Sequence, residues 1–392
     1  MRVYADNAST TIVDKIVIES MITHMDSIYG NPSSRHLEGM LAKESISEAR
    51  KEIANCIGAA DSSEIVFTSG GTESNNQAIL SAAMTGVAHG KRHIITSTFE
   101  HPSVMNTLLK LKEMGFDISY IKVGSNGIVD LDEFEKSIRP DTCLVSIMTI
   151  NNEIGTIQPI EAIGNICNKR NILLHTDAVQ AIGHIKLDVQ SLNVNLLSAS
   201  AHKFHGPKGI GFLYVRTGHV LTRCFEGGHQ ESQRRPGTEN VPGIVGMAVA
   251  LKKSLNHLET NINIISLVSS YLIENLKSIP HSRLNGDIHN KFPGIMNYTF
   301  EGIESERLVL ELDKEGIAVS AGSSCMSGDI VPSHVLLSLG MSEKLALCSI
   351  RISISEDNTI NEMQYLAEKI KGIVIKIRES SLKWKHCKIH EI

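Results

Sequence analysis

Short apolar runs alternate with longer amphipathic ones along the N-terminal half of the chain. "EIVFTSG" leads into "GTESNNQAIL", "HIITST" into "HPSVMNTLLKLKEMG", "TCLVSIMTI" into "IEAIGNICNKRN", and "ILLHTD" into "AVQAIGHI". The short runs read as buried strands and the longer stretches as crossover helices. Strand, loop and helix in that rhythm predict an α/β core around a mainly parallel sheet. Ligands of such cores gather beyond the carboxyl ends of the strands. The loops "TSGGTES", "FEHPSV", "INNEIG" and "TDAVQ" are therefore the expected site. Near Leu251 the texture changes: "LKKSLNHLETNINIISLVSSYLIENLKSI" reads as one long helix ahead of a mixed β/α segment, which predicts a domain boundary there.

Composition narrows the class. A chain of 392 residues has room for two domains, and 42% hydrophobic with 21% charged residues is ordinary for a globular protein. A net charge of -5 and 4% aromatics give no footing for nucleic acid. No apolar run is long enough to span a bilayer, and "MRVYADNAST" has no signal-peptide character. Seven scattered cysteines suit a reducing compartment, so a cytoplasmic protein is expected.

Candidate chemistry sits in the predicted loops. In "TSGGTESNN", Gly70 and Gly71 let the backbone approach a ligand, Thr72 adds a hydroxyl, and a helix N-terminus favours an anion. The same stretch also reads as an ordinary strand–helix turn. Asp177 ends "LLHTD", where a carboxylate near a core needs a cationic partner or serves as a helix N-cap at Ala178. His101 and the amides Asn151 and Asn152 occupy loops of the same kind, with solvated or turn-forming roles as the alternative. "ASAHKFHGPKG" offers two lysines but no Walker-type spacing. Lys203 ends a strand-like run, where burial would lower its pKa, whereas Lys208 sits in a Gly-Pro-Lys-Gly turn and should stay solvated. Together an anion-binding turn, a strand-end carboxylate, an imidazole and a lysine suit pyridoxal 5'-phosphate. A second signal is "VSAGSSCMSGD", which sets Cys325 among serines and glycines instead of apolar neighbours.

From "YADNAST" to about "SIRISIS" the sequence resembles the class V aminotransferases, and within them the NifS/IscS-type cysteine desulfurases. Its most specific pieces are "GNPSSRH", "SGGTESNN", "NNEIG", "HTDAVQA", "SAHKFHGPKGIG", "RRPGTENV" and "SAGSSCMSG". The resemblance implies a fold-type-I transferase. Its large mainly parallel-sheet domain would span residues 12–255, and a smaller α+β domain would combine residues 1–11 and 256–392. It implies that Lys203 forms the Schiff base with the cofactor, while Gly71, Thr72, Ser200 and His202 bind its phosphate. Asp177 would hold the pyridinium, Gln180 and Asn152 would contact the ring hydroxyl side and the substrate, and His101 would stack on the ring and shuttle protons. Arg351 would clamp the substrate carboxylate, with a surface ion pair as the alternative, and Asn31 is a further substrate-side candidate. Thr238 would reach across a homodimer axis to the other subunit's phosphate, and its alternative role is a turn or helix N-cap. Cys325 would take sulfur from L-cysteine as a persulfide, leaving L-alanine. A sulfur-acceptor protein would pass the sulfur to iron–sulfur clusters, thionucleosides or another pathway.

The chain departs from the family pattern at Ser355 and Glu356, where glycine and arginine are usual, at His229 in "GGHQE", and at Ser232 and Gln233. The charge reversal at Glu356 is expected on a partner surface. Two rivals share these residues: another reaction on the same fold, and a cofactor-free scaffold that only binds sulfur-transfer partners. No metal site is expected, either at the His89/His93 pair or in the tail "WKHCKIHEI". Cys56, Cys143, Cys167 and Cys348 read as core fillers.

Overall fold

Strand β1 (Val3–Tyr4) is followed by two helices, α1 (Lys15–Asp26), capped by the Asp14 side chain, and α2 (Leu37–Ile57). The computed structural model describes residues 1–322, 324–326, 329–381 and 384, with backbone alone over Ser324–Met326 and Asp329–Ile330. The four predicted strands appear as β2 (Ile65–Thr68), β3 (His93–Ser97), β5 (Thr142–Ser146) and β6 (Leu173–Asp177), and the strand-like run before Lys203 as β7 (Leu196–Ser200). β4 (Asp117–Ile121) and β8 (Gly211–Val215) join them without having been read in the sequence. Between them run α3 (Gly71–Ala88), α4 (Pro102–Glu113), α5 (Leu131–Ser137) and α6 (Ile160–Lys169).

These strands form one seven-stranded sheet in the order β2-β8-β7-β6-β5-β3-β4. All neighbours are parallel except β8, which is antiparallel to both β2 and β7. The carboxyl ends of β2, β3, β5, β6 and β7 consequently open on one edge. Every residue of β3, β5, β7 and β8 is buried, as expected of strands covered on both faces.

Two expectations about helices need correction. "AVQAIGHI" forms a series of turns and no helix. The chain bends at Gly183 (φ +82°), where a Cβ would stand 2.6 Å from Phe204 Cβ, so close packing replaces a further helical turn. The long stretch after Leu251 belongs to two helices, α7 (Val241–Asn256) and α8 (Leu258–Leu276), broken at His257. Their apolar faces bury against different partners: α7 packs on α1 and α2, and α8 on a later helix, so no straight rod satisfies both.

The rest of the chain builds β9 (Ser282–Asn285), β10 (Ile295–Phe300), α9 (Ser305–Lys314), β11 (Ile317–Ala318) and β12 (Ser320–Ala321). It continues with β13 (Ser324–Met326), β14 (Asp329–Val331), α10 (His334–Ser338), α11 (Glu343–Ala346), β15 (Ser349–Ser353) and α12 (Ile360–Ser380). A second sheet has the order β12-β15-β10-β9, β1 pairs with β11, and β13–β14 is a separate hairpin. Among the described residues no helix is long and apolar enough to cross a membrane.

Candidate active site

The strand ends surround a cavity of about 370 Å³ whose lining includes Gly71, Thr72, His101, Asn152, Asp177, Gln180, Ser200, His202, Lys203 and Arg351, together with Ala8, Ser9, Asn75, Ser103, Met148 and Val179. Lys203 follows β7 on a single 3-10 turn, Ala201–Lys203. Its Nζ donates to the carbonyls of Ala8 (2.6 Å) and Ser9 (2.7 Å). Burial first, then the charge of Arg351, push the amine down to about 8, against the opposing pull of Asp177 and Asp6. Lys208, five residues on, is exposed.

Asp177 is 5% exposed at the end of β6. Its Oδ2 accepts from Asn75 Nδ2 (2.7 Å) and its Oδ1 from the Val179 N–H (3.0 Å), so it caps a turn and no helix. Asn75 also donates to Ser103 Oγ (2.9 Å), and Ser103 Oγ lies 2.7 Å from His101 Nδ1. With the Ser103 N–H also directed at Nδ1 (3.1 Å), the proton of a neutral His101 belongs on Nε2. Burial lowers the His101 pKa, with Lys203 and His334 adding to the effect and Asp177 opposing it. Asn75 and Ser103 escaped the sequence reading. The available signal was spacing: Asn75 lies one helical turn beyond Gly71, on the same face of α3.

The N-terminus of α3 has Gly70 at its cap position and no side-chain capping bond, leaving backbone N–H groups available for an anion. A Cβ at Gly71 would stand 2.6 Å from Val179 Cγ2, so only glycine keeps this approach open. Ser200, 4% exposed, and His202 flank it. The His202 pKa is pushed down to about 4 by burial and by Lys203 and Lys208. Gln180 Nε2 donates to Ala8 O (2.9 Å).

Arg351 comes from β15 and is 8% exposed, so its ion pair with Asp6 (2.9 Å) is buried and not superficial. It also donates to Ser9 Oγ (2.5 Å), Ser320 Oγ (3.2 Å) and Asn152 O (3.1 Å), while its Nε is buried without a partner. The chemistry of this donor set fits pyridoxal phosphate. An open helix end with hydroxyls suits a phosphate, a buried carboxylate suits a ring N–H, and an amine of lowered pKa suits an aldehyde.

Three candidates lie elsewhere. Asn31 is exposed, and its Oδ1 accepts from the Ser33 N–H (2.9 Å). Thr238 is exposed and does not cap α7, a task taken by Asn240. Cys325 pairs through its backbone with Ile330 in the β13–β14 hairpin, and its side chain lies outside the described residues. A wider groove of about 790 Å³, lined by Ser33, Arg50, His229 and Arg234 among others, lies apart from Lys203. Along that segment Glu231, Ser232 and Gln233 all have positive φ, 49°, 54° and 67°. Gln233 is held there by Arg223, which donates to its carbonyl (2.5 Å) and its Oε1 (3.1 Å).

Glu356, at the position of the charge reversal, is partly buried and pairs within its own chain. Its Oε1 accepts from Asn261 Nδ2 (2.9 Å) and faces His205 Nε2 at 3.6 Å. Burial opposes ionisation, but the His205 pair outweighs it and holds the carboxyl at about 2. His93 is wholly buried, with Thr142 Oγ1 and Ser119 Oγ at its two ring nitrogens (2.7 and 2.9 Å), a satisfied core histidine. Cys143, Cys167 and Cys348 are buried, whereas Cys56 is only half-buried, at the edge of the core. Beyond Trp384 the tail lies outside the described residues.

Comparison with known proteins gives this geometry a family. The class V aminotransferase profile matches residues 3–366, and the chain belongs to that family, whose members depend on pyridoxal phosphate. The cysteine desulfurase IscS of Methanosarcina thermophila is 45% identical over 97% of this chain and 93% of its own. A solved NifS-like protein superposes with a TM-score of 0.90 at 40% identity, covering 95% of this chain and 99% of its own. A structure of SspA in complex with cysteine is 38% identical, with a TM-score of 0.79 over 91% of this chain and 99% of its own.

Proposed function

We infer that the chain is a pyridoxal-phosphate-dependent cysteine desulfurase that converts L-cysteine to L-alanine and receives the sulfur on Cys325. The observation that carries this reading is the single cavity into which Lys203, Asp177, His101 and Arg351 converge beside an open helix N-terminus. Bound there, the cofactor supplies an electron sink for charge developing at the substrate α-carbon. Lys203, with its lowered pKa, is the amine that would hold the cofactor's aldehyde carbon, and its neutral Nζ can accept a proton. Asp177, fixed by Asn75 and Val179, would keep a proton on the ring nitrogen. Gly71, Thr72, Ser200 and His202 would hold the phosphate, and Gln180 and Asn152 the hydroxyl side of the ring. His101, which lines the cavity and is oriented through Ser103, would stack on the ring and shuttle protons. Arg351 takes the substrate carboxylate with a guanidinium already oriented by Asp6 and Ser9. The Cys325 thiolate attacks the substrate sulfur, so an S–S bond forms as the substrate C–S bond breaks. The released electron pair passes to the carbon skeleton, which takes up protons and leaves as alanine.

The same reading includes a cytoplasmic homodimer with an acceptor protein for the persulfide. Its support is an exposed apolar face on α1, the start of α2 and the link between them, with Ile22, Met25, Tyr29, Leu37 and Met40 each more than half exposed. Thr238 and Asn31, outside the cavity of their own chain, would serve a partner's site or a closed state. The domain division at 12–255 against 1–11 and 256–392 is supported by the sheets. The seven-stranded sheet falls in the first part and the four-stranded one in the second, where β1 also pairs.

Cys325→Ala separates the two halves of the chemistry. The variant should keep the cofactor absorbance and its change on adding L-cysteine, yet form no persulfide. Sulfide release at the wild-type rate by this variant would overturn the assignment.

A further inference from the structure

The hairpin that carries Cys325 leaves the body of the protein at Gly322 and rejoins it at Ser333, and one carboxylate stands at both points. Glu153, on the loop after β5, accepts a 2.5 Å hydrogen bond from Ser333 Oγ at its Oε2. A Cβ on Gly322 would stand 3.5 Å from the same oxygen, so the outgoing chain passes close to it. Ser333 is 4% exposed and its hydroxyl oxygen also accepts from the Leu336 N–H (3.2 Å), capping α10. The next residue adds a second tie: His334 Nε2 donates to Glu100 O (2.9 Å), the carbonyl preceding His101. Glu100 itself is wholly buried and bonded to Ser97 Oγ (2.5 Å) and to the Met148 N–H (3.0 and 3.1 Å). The returning end of the hairpin is therefore fastened to the two loops that carry Asn152 and His101. Glu153 follows Asn152 directly, and Arg351 donates to the Asn152 carbonyl.

We propose that Glu153 is a positioning residue for sulfur transfer, clasping the base of the Cys325 hairpin and fixing its register to the cofactor cavity. This rests on the reading of Cys325 as the sulfur acceptor. Glu153 does not line the cavity, so its effect passes through Ser333 and Gly322 to the placement of the cysteine. Burial raises the Glu153 pKa, with the Ser333 bond and the charges of His334 and Arg351 opposing, and an acceptor in either charge state can serve Ser333. Nucleophilic attack is sensitive to placement, and a misfit of about 1 Å costs on the order of a hundredfold in rate.

Cofactor-loaded wild type, Glu153→Ala and Glu153→Gln would be mixed anaerobically with L-cysteine, following cofactor absorbance by stopped flow and the Cys325 persulfide by mass spectrometry. Glu153→Ala should retain the amplitude and cysteine dependence of the absorbance change. Its persulfide formation should slow on the order of a hundredfold. Glu153→Gln, whose amide oxygen still accepts from Ser333, should recover to within about tenfold of wild type. Ser333→Ala should slow persulfide formation in the wild-type background and add little on Glu153→Ala, since both break one contact. Persulfide at the wild-type rate in Glu153→Ala overturns the proposal, as does an equal loss of the absorbance change. Independent, multiplying losses for Ser333→Ala and Glu153→Ala also overturn it. A wild-type protein that makes no persulfide on Cys325 defeats the functional reading, and this inference with it.

Discussion

The cavity at the sheet edge and the exposed segments around it were both marked by motifs, yet the fold treats them differently. Lys203, Asp177, His101 and Ser200 arrive on or just after strands of one sheet, so strand pairing alone brings them together. Asn31 and Thr238 sit on exposed segments with no sheet to carry them inward. Burial separates the chemistry in the same way: the Lys203 amine is pushed down to about 8, while Lys208 lies exposed on the turn that follows. Here a motif residue reaches its own chain's cavity when a strand end or the turn after it delivers it.

The sharpest way to break that contrast is to exchange the lysines. Lys203→Ala should abolish turnover and the borohydride-fixed cofactor adduct, whereas Lys208→Ala should leave both near wild type. In the cofactor-free wild type, the rate of pyridoxal phosphate capture should rise about tenfold per pH unit and level off above pH ~8, as the neutral amine becomes the major form. Adduct found on Lys208 by mass spectrometry would reverse the assignment.

Thr238 tests the exposed side of the comparison. Thr238→Asp would bring a carboxylate toward a phosphate held by the partner, and that homodimer should be nearly inactive, as should Lys203→Ala. Co-expression places both lesions in one site of each mixed dimer and leaves the other intact. Random pairing should then restore about a quarter of wild-type activity. Mixed dimers that form but stay inactive would make Thr238 a residue of its own chain's site.

A smaller effect is expected where the two parts of the chain meet behind Lys203. His205 donates to Ile12 O from Nδ1 (3.0 Å) and faces Glu356 from Nε2, while His184 Nε2 donates to the Lys203 carbonyl (2.8 Å). Burial alone would lower the His205 pKa, but Glu356 raises it above 6.5, and Glu356 is held near 2 from an ordinary 4.5. The histidine contribution is full below 6.5 and fades as pH rises through the raised value. The glutamate contribution is full above 4.5 and fades as pH falls toward 2. Glu356→Gln should therefore destabilise most between about pH 5 and 6, by about 1–3 kcal/mol, and least in alkali. A melting-temperature difference that does not vary with pH would remove the ion pair from the account.

The sequence by itself determined the α/β class, the strand-end loops and ten of the cavity's lining residues, leaving out Ala8, Ser9, Asn75, Ser103, Met148 and Val179. Apolar runs, glycine turns and polar loops are local features, readable without knowing what packs against what. It erred where partners decide conformation: at Ala178–Ile185, turned by Phe204, and at His257, where α7 and α8 face different neighbours. Only the tertiary structure placed Asn75 between Asp177 and Ser103, turned Glu356 inward to His205, and set Glu153 at the base of the Cys325 hairpin. Each of these contacts joins residues far apart in the chain. Their strength comes from desolvation and hydrogen-bond geometry, which exist only once the chain has closed around them.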